Sequence, residues 1–172
     1  LHQLDLLDFL IFPPSTLIWT TLSTCFRVHG TIRIVNLAAE KIPASSYPGI
    51  AIVAPIVLGT VNGCGGMFFP LQKGLAPLEK GCPWPVQLPF FVAAVYHILI
   101  NDREGPLGSF ARDVIGDHCP YRVTLALVTF GLINNLTQAF FDASANLLTP
   151  FHKLLYLVFQ VQGPELSEKY KR

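Results

Sequence analysis

The stretch Ile42-Pro-Ala-Ser-Ser-Tyr-Pro-Gly-Ile-Ala-Ile-Val-Ala-Pro-Ile-Val-Leu-Gly-Thr-Val-Asn-Gly-Cys-Gly-Gly-Met-Phe-Phe-Pro-Leu-Gln72 contains no charged residue. A helix on the surface of a soluble protein places polar residues at every third or fourth position, and this run does not. Charge-free runs recur on either side of it: Phe9 to Phe26, Gly81 to Asn101 with only His97 inside, and Val123 to Phe141. A fifth, weaker candidate, Ala143 to Val161, carries only His152 and Lys153. Runs of roughly 18 to 25 apolar residues match a hydrocarbon layer of about 30 Å at about 1.5 Å of helix rise per residue. The pattern therefore predicts an all-α, polytopic helical membrane protein. The expected spans are 9–26, 49–71, 83–101 and 123–141, with 143–161 as a further candidate, in one domain over residues 1–163 followed by a polar tail at 164–172.

Composition agrees. Of 172 residues 51% are apolar and 13% charged, against about a quarter charged in ordinary soluble domains. Twelve Lys and Arg against eleven Asp and Glu leave a net charge of +1, which disfavours nucleic-acid binding through phosphate neutralisation. Thirteen Phe residues exclude a disordered chain. The first residue is Leu1, and Asp5 and Asp8 stand where a signal peptide would be basic. This start reads as a fragment edge with spans expected upstream. Connecting loops are expected at Arg27 to about Pro48, Lys73 to about Lys80, and Asp102 to Arg122. Their basic residues are spread too evenly to set an orientation. Cys25, Cys64, Cys82 and Cys119 form no CxxC pair and are expected as small buried hydrophobes, with no metal site or disulfide framework.

Prolines interrupt the runs at Pro13 and Pro14, Pro55 and Pro70, and Pro83, Pro85 and Pro89. Proline removes a backbone donor and kinks or ends a helix. Inside a bilayer that is tolerated where protein or water meets the freed groups, so a packed bundle with a polar interior is expected. Within the second run, Gly59-Thr-Val-Asn-Gly63-Cys-Gly65-Gly66 holds a GxxxG pair and two further glycines. Two readings stand: close helix packing, or a helix break that exposes carbonyls to a pore, with Gly59, Asn62, Gly63, Gly65 and Gly66 at it. The spacing fits neither a GxGxxG nor a Walker A phosphate loop.

In the last main run Asn134, Gln138, Asp142 and Asn146 recur every fourth residue, along one face of a continuous helix. Such a face either lines an ion path or supplies interhelical hydrogen bonds. Asn135-Leu-Thr137 is formally a glycosylation sequon, but within the run it is expected to be inaccessible. His97 reads as an interior, hydrogen-bonded histidine or as a gate. No nucleophile elbow, HExxH or comparable constellation occurs, so no enzyme activity is expected. Arg27, Arg33 and Lys41, with Lys73 and Lys80, are candidates for contact with anionic lipid or for simple snorkelling at the membrane boundary.

The order of these features resembles the trimeric intracellular cation channels. The shared elements are Phe12-Pro-Pro14, a helix ending near Glu40-Lys41, Tyr47-Pro48, the span ending Gly59-Thr-Val-Asn-Gly63-Cys-Gly65, the stop Gly81-Cys-Pro-Trp84, and a last span leading to Thr149-Pro150-Phe151. The resemblance covers roughly residues 9 to 155, about the last two thirds of the family's seven-span architecture. It departs at Asn62, where the family has Lys, and at Arg33 to Lys41. There the family's lipid-binding signature is reduced to Lys41, with Arg33 as a nearby substitute. The resemblance implies a homotrimeric channel for monovalent cations, chiefly potassium, in the endoplasmic or sarcoplasmic reticulum or nuclear membrane. It would supply counter-ion current during calcium release and bind an anionic phospholipid of phosphoinositide type, with no other cofactor. From other classes, a non-conducting membrane scaffold or assembly subunit and a small-solute transporter remain open.

Overall fold

The computed structural model describes residues 13–42, 48–64, 84–102, 105–116, 119–141 and 146–150. Among them the fold is all-helical, with no strand. Helix α1 spans Pro13–Lys41, α2 Pro48–Gly63, α3 Trp84–Tyr96, α4 Pro106–Ile115 and α5 Pro120–Phe140, and a π-helical turn, His97–Asn101, extends α3. Proline opens four of these helices and is the second residue of α3. At a first turn the missing N–H costs nothing, because that donor has no intrahelical partner, and the fixed φ suits the helix. Among the described residues most of the proline punctuation thus starts helices. Only Pro55 in α2 and Pro89 in α3 lie inside them.

Among the described residues one helix, α5, is long and apolar enough by itself to cross a membrane; Ile50–Gly63 and Val86–Asn101 are shorter apolar helices. Helix α1 has 29 residues, about 43 Å at the α-helical rise, and departs from expectation. The segment from Arg27 onward, expected as a loop, is helical to Lys41. The reason is an inward stripe that ignores the charges: Thr24, Val28, Thr31, Ile32, Val35 and Ala38 are all buried, each three or four residues from another of the set, while Arg33 and Lys41 stand on the outside. The expected loop from Asp102 to Arg122 likewise contains α4. Cys64 is buried, Cys25 half-buried, and Cys119, against expectation, exposed just before Pro120. Cys82 and the tail lie outside the described residues.

The contacts define an alternating bundle. Gly63 meets Thr31 and Pro89, and Gly59 meets Val35 and Ala93, so α2 runs antiparallel to α1 and α3. Gly131 of α5 faces Thr24, Val28 and Leu88, Asn135 reaches back to Thr24, and the Phe91 and Phe130 rings lie 5.0 Å apart, so α5 is also antiparallel to α1. The core cluster joins Val28, Ile32 and Val35 of α1 to Leu88, Val92 and Ala93 of α3, together with Val123 and Leu127 of α5. Consequently α1's C-terminus, the start of α2, the π turn, α4 and the start of α5 gather at one end of the bundle.

The glycines set the spacing. A Cβ at Gly59 would fall on Val35 Cγ2 and stand 3.3 Å from both Ala93 Cβ and the Thr31 carbonyl oxygen. One at Gly63 would fall on the Thr31 hydroxyl and lie 2.7 Å from Pro89 Cβ. Gly59→Val should therefore destabilise the purified protein by about 1–3 kcal/mol, the usual cost of overpacking a tight contact. Ala126→Val, on an exposed face of α5, should be close to neutral. Thermal unfolding in detergent compares the two.

Candidate functional site: the polar seam of the bundle

Six buried polar residues, Thr24, Thr31, Thr60, Gln87, His97 and Asn134, lie between helices whose outer faces are largely apolar. The threonines are satisfied at short range: the hydroxyl of Thr24 donates to the Thr20 carbonyl at 2.7 Å, that of Thr31 to Arg27 at 2.8 Å and that of Thr60 to Ile56 at 2.6 Å. Bonding back to the preceding turn lets a hydroxyl enter a core at little cost.

The remaining polar side chains tie helices together. Asn135 Nδ2 donates to Thr24 Oγ1 at 2.7 Å, joining α5 to α1. Asn134, only 2% exposed, accepts the Leu147 amide at Oδ1 at 2.9 Å. Asn146 Nδ2 donates to Gln87 Oε1 at 2.9 Å, and Asn146 Oδ1 accepts the Leu148 amide at 2.9 Å. Nearer the other end, Asn36 Nδ2 donates to Tyr96 Oη, and Asn101 Nδ2 donates to Asn36 Oδ1, both at 3.2 Å.

These contacts revise the expected polar face. Helix α5 ends at Phe140, so Asn146 is not the next rung of a four-residue ladder that starts at Asn134. It sits in a turn after the helix and reaches α3. Gln138 is half-buried on α5, and Asp142 lies outside the described residues. The structure brings Asn134 and Asn146 together around residues 146–148 through backbone bonding, an arrangement not legible from helical spacing. Of the glycine group, Gly59 and Gly63 are buried packing positions against α1 and α3, α2 ends at Gly63, and Gly65 and Gly66 lie outside the described residues. Asn62 is exposed; a Cβ on Gly30 would approach its Nδ2 to 3.0 Å. Arg33 and Lys41 are exposed on the outside of α1, about 12 Å apart along the axis at the helical rise.

The π turn holds an arrangement that the sequence does not announce. The Asp102 amide donates to the His97 carbonyl at 2.9 Å, a bond across five residues. In an α-helix residues five apart point about 140° away from each other; the wider π turn brings them toward one face. His97 is 3% exposed and neither ring nitrogen has a hydrogen-bond partner; Asp102 Oδ2 is also buried without one. The two side chains interact electrostatically, and the ring also lies against the Ala51 backbone. Pro55 has no N–H to offer the Ala51 carbonyl four residues before it, so that oxygen is left without its intrahelical donor. Glycines close the corner: a Cβ at Gly105 would fall on the Asp102 carboxylate, and one at Gly108 on the Asp102 carbonyl oxygen. An imidazole, a carboxylate oxygen and a released carbonyl thus converge in a buried corner, where unpaired polar groups are costly. His97 is interior, as one expectation has it, and its polar neighbours are the Ala51 backbone and Asp102.

Among the described residues no group of three or more His, Cys, Asp or Glu side chains is arranged to hold a metal ion. No known protein family, curated protein or solved structure matches the chain.

Neither ring nitrogen makes a hydrogen bond of good geometry, so the ring's polar contribution to the fold is confined to its approach to the Ala51 backbone and to Asp102. His97→Leu, which removes two buried polar atoms at similar volume, should leave the melting temperature unchanged or raise it, since orphaned polar groups cost about 1–3 kcal/mol each. A clear drop in melting temperature would contradict this.

Proposed function

We propose that the chain is a polytopic membrane protein that conducts monovalent cations, chiefly potassium, across an intracellular membrane. The observation that carries this reading is the direction of the side chains. Large apolar groups such as Trp19, Phe26, Val53, Leu125 and Ile133 face outward, whereas Thr24, Thr31, Thr60, Gln87, His97 and Asn134 are buried inside. A soluble protein exposing so much contiguous apolar surface would aggregate; lipid tails make that surface favourable. Polar groups at bilayer depth turn toward the bundle interior, where they can meet water or ions.

The shorter apolar helices are compatible with this proposal. With its π turn, α3 has 18 residues, about 27 Å at the helical rise, close to the hydrocarbon thickness. The resemblance to trimeric intracellular cation channels supports potassium as the ion, a homotrimer as the assembly and the endoplasmic or sarcoplasmic reticulum or nuclear membrane as the site. It also supports an anionic phospholipid at Lys41, which lies at the same end of the bundle as the π turn, with Arg33 about two helical turns further along α1. The Gly65–Gly66 break remains part of the proposal as a pore element beyond the end of α2.

A non-conducting membrane scaffold is the second reading, and one observation favours it. Gly59 and Gly63 are filled by α1 and α3, and Asn134 and Asn135 are spent on hydrogen bonds within the bundle. Ion flux separates the two. Purified chain reconstituted in potassium-loaded vesicles should release potassium faster than protein-free vesicles and should not release choline. Vesicles that take up the protein but hold their potassium would select the scaffold.

A further inference from the structure

We propose that α4 is an interfacial helix that lies along the membrane surface, with Leu107, Phe110 and Val114 inserted into the boundary between lipid headgroups and acyl chains. The proposal rests on the membrane reading above and adds a lipid-contact surface inside what the sequence presents as a charged loop.

Ten residues, Pro106–Ile115, are too few to cross a bilayer. Their place is fixed on both sides: the π turn of α3 ends at Asn101, and α5 starts at Pro120. Helix α4 therefore sits where two apolar helices both reach the same end of the bundle, together with the start of α2 and the end of α1. At 100° per residue its circumference divides into three sectors. Gly108 marks the packing sector, buried against the Asp102 carbonyl. Ser109, Arg112 and Asp113 form a polar sector. Leu107, Phe110 and Val114 form the third and are 48%, 69% and 67% exposed. A surface helix of a soluble domain turns its apolar stripe onto the core. Here the core takes the side without a side chain, and the apolar stripe faces away.

Three neighbouring features select lipid as the occupant of that stripe. The first turns of α5, the next helix in the chain and the one with the strongest membrane character, expose Tyr121 and Leu125, so apolar groups are turned outward on both helices at this end of the bundle. Tyr is a residue enriched at the boundary between hydrocarbon and water. Exposed Arg112, in the polar sector on the far side of α4 from the stripe, and exposed Arg122 in the first turn of α5 supply cations outside the apolar face, as expected for an amphipathic helix whose cations meet lipid phosphates while its apolar face enters the acyl region.

Single-tryptophan proteins reconstituted in phosphatidylcholine vesicles test the proposal, with lipids brominated either near the headgroup or near the chain end as quenchers. In the Trp84→Phe background, Trp19, 67% exposed on α1, reports whether the bundle is embedded. In the Trp19→Phe, Trp84→Phe background, Phe110→Trp and separately Leu107→Trp report on α4. Both α4 reporters should shift to the blue on reconstitution and lose fluorescence to bromine near the headgroup more than to bromine near the chain end. If Trp19 is quenched and neither α4 reporter is, the interfacial helix is wrong while the membrane reading stands. If α4 reporters escape both bromolipid and aqueous iodide, the stripe is covered by protein and the proposal fails. If Trp19 is also not quenched, the membrane reading itself fails.

Discussion

The close crossing of α2 over α1 and α3 is the constraint on which the rest of the bundle depends. At Gly59 and Gly63 the space of two side chains is already taken by Val35, Thr31, Ala93 and Pro89. That proximity allows a helix of only 16 residues to sit against both neighbours at once. It fixes the depth of α2, which in turn places the Ala51 backbone against His97. Small residues at such crossings gain dispersion contacts in lipid, where hydrophobic burial offers no net drive for helix association. Gly131 repeats the device where α5 meets Thr24 and Leu88.

Proline does the complementary work of dividing the chain. It stands first in α1, α2, α4 and α5 and second in α3, so a highly apolar sequence with long charge-free runs has unambiguous helix starts. The two interior prolines act differently. Pro55 is fully buried, and by withholding an N–H it leaves the Ala51 carbonyl available to the π-turn corner. The same chemistry that begins a helix at one position opens a polar corner at another.

Much of this is legible in the sequence. The charge-free runs locate the start of α2, α3 with its π turn, and α5 to within a few residues, because a helix that avoids charge on every face leaves a continuous apolar signal. Where one face alone decides, the signal is lost. In α1, Arg27, Arg33, Glu40 and Lys41 obscure an inward stripe of Thr31, Ile32, Val35 and Ala38. In α4, Arg112 and Asp113 obscure Leu107, Phe110 and Val114. The polar ladder from Asn134 to Asn146 fails for another reason: spacing places residues on one face only while the helix lasts, and α5 stops at Phe140. Nothing local signals the π turn, so the approach of Asp102 to His97 depends on tertiary structure, with Gly105 and Gly108 as its only trace in the sequence.

The central claim is that this bundle turns its apolar faces to lipid along several helices, and membrane extraction tests it most directly. The chain produced in the presence of microsomes, then washed in alkaline carbonate, should remain entirely with the membrane pellet and enter solution only with detergent. Recovery of folded, monodisperse protein in the carbonate supernatant would contradict the claim and make the outward apolar faces an interface with other protein.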